Sequence, residues 1–206
     1  MIYEVRTYDL KPRTLPQFLE TFGSLYEHRR KYSDLIAFWY TEIGRLNRVI
    51  HVWPYADAAE RARIRAEAHD DPNWPPPVAD LIETMTSEIF VPFPFSPKLE
   101  PGDHGPVYEL RSYVLRPGAI AGVGERWKPA LPARTALSPL SVVMYSDVGA
   151  LNKYIHIWPY KSLEQRAQVR AQALADGIWP PPPGGGGELV SQENMILTPA
   201  PFSPMQ

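Results

Sequence analysis

Two histidines stand in nearly the same word. His51 lies in NRVIHVWPY and His156 in NKYIHIWPY, 105 positions apart. An imidazole titrates near neutral pH, so either histidine could shuttle a proton beside the tryptophan two residues on, Trp53 or Trp158. Glu4, Arg6 and Tyr8 alternate along YEVRTY, and Glu109, Arg111 and Tyr113 repeat them in YELRSY. A guanidinium in such a set suits a developing enolate or a carboxylate. Tyr40 with Glu42, and Tyr145 with Asp147, alternate in the same way. A buried acid there could serve as a general base, because burial and like charge raise a carboxyl pKa. The candidate catalytic residues are therefore His51 and His156. The candidate ligand-binding residues are Glu4, Arg6, Tyr40, Trp53, Glu109, Arg111, Tyr145 and Trp158. Each set has a structural alternative: core histidines packed on tryptophan, ion pairs that set sheet register, and acids in water at strand ends.

Other patterns narrow the chemistry. There is no glycine-rich phosphate loop, no HExxH, and no serine in a nucleophile elbow. The absence of cysteine removes thiolate metal sites, disulfides and a cysteine nucleophile. A single histidine per copy could hold haem iron, but no motif supports it, so no cofactor and no metal are expected. A net charge of −2 offers no field for nucleic acid. No apolar run approaches the ~20 residues of a membrane helix, and no signal peptide opens the chain, so a cytoplasmic protein without membrane insertion is expected.

The elements that must position these residues come in two copies. Besides the histidine words, DPNWPPP at Asp71 recurs as DGIWPPP at Asp176, and PFSP at Pro94 recurs at Pro201. Each copy reads strand, helix, strand, strand, helix, strand, the split βαβ, ferredoxin-like order. Asp57 with Glu60, and Ser162 with Gln165, fit capping boxes that start the second helix. Pro129 and Pro132 are expected to interrupt the first helix of copy two. The WPPP segments read as stiff connectors, or lids over a pocket mouth, and Pro183 to Gly187 as a mobile loop. Arg61 and Arg65, repeated as Arg166 and Arg170, lie at i and i+4 and read as a solvated face.

The expected organisation is a first repeat over 1–97, a Pro/Gly linker over 98–106 and a second repeat over 107–206. The fold class is α+β: two ferredoxin-like βαββαβ repeats whose four-stranded antiparallel sheets pack face to face as a pseudo-twofold α/β barrel. Each sheet has helices on one face only, and the bare face must be buried. Ile50 and Val52, like Ile155 and Ile157, suit the helix layer, which would turn His51, Trp53, His156 and Trp158 into the barrel. Oligomerisation stays open: the duplication supplies what a homodimer normally would, although exposed edges or helices could still pair two chains.

Through YEVRTYDLKP, IAFWYTEIGRLNRVIHVWPY, SLEQRAQVRAQAL, LVSQENMIL and the PFSP endings, the chain resembles the NIPSNAP family over nearly all of both copies. The resemblance implies a ferredoxin-like fold of the dimeric α/β-barrel superfamily. It carries over no catalytic residue and no cofactor. Together these readings favour a protein that binds a small, largely apolar or aromatic molecule in the barrel, with cofactor-independent oxidation or isomerisation as the compatible chemistry. The alternative is a noncatalytic interaction or structural protein with a side-chain-filled barrel.

Overall fold

The computed structural model describes residues 1–184 and 187–206. In the first half, strand β1 (Ile2–Leu10) leads to helix α1 (Leu15–Arg30), the hairpin β2 (Ala37–Ile43) and β3 (Arg48–Tyr55), helix α2 (Ala58–His69) and strand β4 (Ile82–Pro92). The second half repeats this as β5 (Val107–Leu115), α3 (Ile120–Leu137), β6 (Val142–Val148), β7 (Lys153–Tyr160), α4 (Leu163–Ala175) and β8 (Leu189–Pro199). Both expected N-caps form, while Glu60 and Gln165 reach back to the amides of Ala56 and Lys161, one residue before the cap. Asp57 Oδ1 accepts from the Glu60 amide at 2.9 Å, and Ser162 Oγ from the Gln165 amide at 3.1 Å.

The two sheets close into one antiparallel barrel in the order β1-β3-β2-β8-β5-β7-β6-β4. The last strand of each half closes the seam: β4 pairs with β6 and β8 with β2. Each PFSP ending then crosses to the other half. The Phe38 amide donates to Ser203 Oγ at 2.9 Å, and the Val143 amide to Ser96 Oγ at 2.9 Å. Phe202 stacks on Phe22 of α1, with ring centres 5.7 Å apart.

The barrel is filled. Tyr3, Val5, Trp39, Ile50, Val52, Tyr108, Leu110, Met144, Ile155 and Ile157 form one buried cluster that draws on both halves. Leu99 from the linker and Met205 from the chain end join it. This corrects the expected facing. Ile50 and Val52 point into the barrel, while Trp53 belongs to the helix-side cluster with Phe18, Phe22 and Tyr26. His51, between Val52 and Ile50 in the alternation, therefore lies beneath the helices, against Phe22 and Phe38. An eight-stranded barrel is narrow enough for side chains to fill, and here they do.

The prolines of α3 do not interrupt it. The helix runs from Ile120 to Leu137 with Pro129 and Pro132 inside. Both prolines are exposed, where water can satisfy the carbonyls they leave unpaired, while Trp127, Leu131 and Arg134 hold the opposite face. The mobility expected of the glycine run falls on Gly185 and Gly186, outside the described residues. Among the described residues, no helix is long and apolar enough to cross a membrane.

The crossed endings make a testable contact. A Cβ added at Gly23 would lie 2.6 Å from Phe202 Cδ1. Gly23→Ala should therefore destabilise the protein by about 1–3 kcal/mol, despite the helix-propensity gain of about 1 kcal/mol. In a Phe202→Ala background the same change should be neutral or stabilising. Denaturant unfolding of the four proteins reads the coupling directly.

Candidate functional site

Two networks tie helix to sheet, one in each half. Glu4 on β1 is fully buried, and its Oε1 accepts from Arg6 Nη1 at 2.9 Å, Arg61 Nη2 at 2.7 Å and Ser87 Oγ at 2.6 Å. Arg65 Nη1 approaches the same oxygen at 3.6 Å. Glu109 repeats the arrangement with Arg111 at 2.8 Å, Asn194 at 3.1 Å and Arg170 at 3.7 Å, together with Arg166. The arginines expected on a solvated helix face thus turn inward. They lie one turn apart, so both reach a single carboxylate below.

Burial alone would push the Glu4 carboxyl up. The hydrogen bonds from Arg61 and Ser87 and the charges of Arg65 and Arg6 outweigh it and hold the carboxyl at about 2. The Glu109 carboxyl is lowered in the same way, with Arg166 and Arg111 overcoming its burial. Neither group is a base at neutral pH.

The histidines sit beside these networks. Arg6 Nε donates to the Tyr8 hydroxyl at 2.6 Å, and the Tyr8 ring stands edge-on to His51 at 4.8 Å. Trp53 Nε1 donates to His51 Nδ1 at 2.7 Å, and Trp158 Nε1 donates to His156 Nδ1 at 2.6 Å. An indole can only donate, so each Nδ1 is the acceptor and each imidazole proton sits on Nε2. Burial, then the charge of Arg6 or Arg111, keeps both rings neutral well below their ordinary value. At neutral pH each imidazole is thus neutral, with Nδ1 engaged by the indole and the N–H on Nε2.

Arg29 and Arg134 carried no signal of their own in the sequence. Each is buried, lies over the tryptophan of its half at 4.4 and 4.1 Å, and donates to a tyrosine hydroxyl, Tyr55 or Tyr160, at 3.1 Å. Their identical place in the two copies, 105 positions apart, was the available clue.

A cavity opens against each histidine, between sheet and helices. The first is about 600 Å³ and is lined by Arg6, Tyr8, Arg29, His51, Trp53 and Arg65, with Trp74 and Pro75 at one wall. The second is about 480 Å³ and is lined by Arg111, Tyr113, Arg134, His156, Arg170 and Trp179. All described lining residues of each come from one half. The WPPP segments are therefore cavity walls.

The other expected site residues fall outside these linings. Glu4 and Glu109 lie beneath them, and Trp158 backs His156 without lining the second cavity. Tyr145 faces a separate groove with Phe93 and Lys128, and Tyr40 packs in the first half's helix layer. Glu42 and Asp147 are exposed at strand ends, which removes the buried general base. Among the described residues, no three acidic or histidine side chains converge as metal ligands.

The model of the NIPSNAP family matches residues 3–97 and 108–204. The chain is 34% identical to human protein NipSnap homolog 3A over 100% of its own length and 86% of that protein's. A solved NIPSNAP family protein of unknown function from Agrobacterium tumefaciens is 34% identical, covering 47% of this chain and 92% of that one, at a TM-score of 0.45. An anthrone oxidase-like protein aligns over 96% of this chain and 90% of its own, at a TM-score of 0.63 and 8% identity, which shows a shared fold.

The Glu4 network sets an acid limit. Its carboxyl is near 2 when folded against an ordinary 4.5, so its stabilisation is complete above about 4.5 and disappears as pH falls toward 2. The contribution at neutral pH should be about 3 kcal/mol. Glu4→Gln should lose about that much at pH 7 and show a shallower loss between pH 4.5 and 2, as read by urea unfolding at each pH.

Proposed function

The chain belongs to the NIPSNAP family, and on that footing we propose that each half binds a small, largely apolar or aromatic molecule in its helix–sheet cavity. One observation carries the reading: a void of about 600 or 480 Å³ stands against the histidine of each half, while the barrel is packed with its own side chains. Clefts of this size, with apolar walls and a few convergent polar groups, are where small ligands bind. The sequence-level expectation of a barrel ligand is thus moved to the other side of the sheet.

The chemistry follows from what the cavities contain. Around the histidine of each half they offer donors and arginine charge, and His69 is a further imidazole in the first lining. Cofactor-independent oxidation or isomerisation is the compatible class, for a substrate that arrives already ionised. The anthrone oxidase-like neighbour shares the fold alone and names no substrate for this chain. A filled barrel by itself also fits a noncatalytic interaction protein, a reading that leaves both cavities without a role. With no cysteine to oxidise, a cytoplasmic setting belongs to the same proposal.

The test uses three probes, naphthalene, 2-naphthamide and 2-naphthoate, titrated by calorimetry into the full chain. At least one should bind at two sites. Ala68→Phe fills the first cavity and Ala173→Phe the second, since both alanines line them. Each variant should remove one site, and the double variant both, with unfolding curves confirming the fold. Failure of all three probes to bind, or binding that survives the double variant, overturns the proposal.

A further inference from the structure

The two cavities are rich in donors: among the described lining residues the side-chain acceptors besides the phenols and the indole-bound imidazoles are His69 in the first and Gln192 and Glu188 in the second. Trp53 holds His51 with its proton on Nε2, and that atom is buried without a protein partner, as is Nε2 of His156. Buried polar atoms are rarely left unpaired, and the same atom is left unpaired in both halves. Tyr8 already accepts from Arg6 Nε, so its hydroxyl hydrogen must point elsewhere, and no acceptor for it exists among the described residues. Arg6 spends Nε on Tyr8 and Nη1 on Glu4, which leaves Nη2 without a protein acceptor there. Arg111 and Tyr113 repeat each of these bonds.

Charge points the same way. In the first half Arg6, Arg61 and Arg65 surround the single carboxylate of Glu4, Arg29 adds a further cation, and no acidic residue is among the described lining of the cavity. In the second, Arg111, Arg166 and Arg170 face Glu109, Arg134 adds a further cation, and the one acidic residue of the described lining, Glu188, is paired with Arg126. Arg29 and Arg134 are buried without any carboxylate partner among the described residues. Serine, tyrosine and the tryptophan face satisfy each guanidinium without neutralising its charge, so an anion nearby is favoured. Apolar side chains supply much of the remaining walls, Phe22, Trp74 and Met85 in the first cavity and Trp127 and Trp179 in the second.

We propose that both cavities select the anionic form of an apolar or aromatic acid, a carboxylate or an ionised enol, gripped by imidazole N–H, phenol and guanidinium. This rests on the binding reading above and gives its ligand a charge. The imidazole is a donor here, and Trp53 and Trp158 are positioning residues that fix its tautomer.

The same three probes test it at pH 7. 2-Naphthoate should bind about tenfold or more tighter than 2-naphthamide, the value of a hydrogen bond to a charged group, and tighter again than naphthalene. Equal affinity of acid and amide overturns the anion inference while leaving small-molecule binding intact; binding of none defeats the earlier reading instead. Nitrogen-15 spectra of the imidazoles give a readout independent of ligand: both histidines should show protonated Nε2 and bare Nδ1. A signal from protonated Nδ1 would sink the assignment. Trp53→Phe should mix the two His51 tautomers and cut the acid-over-amide preference of the first cavity about tenfold. Should that variant unfold, the wild-type ranking and spectrum still decide.

Discussion

A sheet with helices on one side has a second apolar face to hide, and here each sheet hides it inside a barrel closed by the other's last strand. Within its eight strands the interior is occupied by Tyr3, Trp39, Tyr108 and the aliphatics of β3 and β7. The barrel is therefore the structural core, and every group capable of recognition is displaced to the outer layer. Two cavities are the result, one under each pair of helices.

What holds those helices over the sheet is unusual for a core. Glu4 and Glu109 are wholly buried carboxylates, and two of the arginines that neutralise each come from the helix above. Breaking such a pair by removing one member leaves an uncompensated buried charge, so the network specifies where α2 and α4 must sit. An apolar layer of equal volume would let the helices settle onto the sheet. Pinning them by long arginines keeps space open beside the histidines.

Much of this architecture could be read from residues alone. The repeat, the order of elements, both N-caps and the mutual burial of two sheets follow from spacing and alternation. The facing of β3 did not. Alternation says that His51 and Trp53 share a side opposite Ile50 and Val52, but both sides of this strand are buried, so period two cannot name the barrel side. Packing across the barrel decided it: Ile50 and Val52 join the interior cluster with Tyr3, Trp39 and Tyr108, while Trp53 packs with the aromatics of the helix layer. Arg61 and Arg65 were misread for a related reason. Their i, i+4 spacing looks the same whether the stripe meets water or one buried carboxylate, and only β1 beneath them distinguishes the two. In α3, the substitution of exposed positions by proline was misread as a break because one-sided packing by Trp127, Leu131 and Arg134 is a tertiary effect.

The duplication preserves some features of the cavities and relaxes others. The imidazole, the indole behind it, the guanidinium–phenol pair and the buried arginine recur with matching bonds. The walls do not. Trp127 stands where the first half has Phe22. Gln192 pairs with Tyr113 in the register where Met85 pairs with Tyr8. Arg126 and Glu188 add a polar rim to the second cavity, which is also the smaller. Groups that recognise a charged oxygen are thus held constant, while those that would meet the body of a ligand differ in size and polarity. A molecule that suits the apolar first cavity would leave Gln192 without a partner in the second, so the two halves are suited to different bodies carrying the same kind of head.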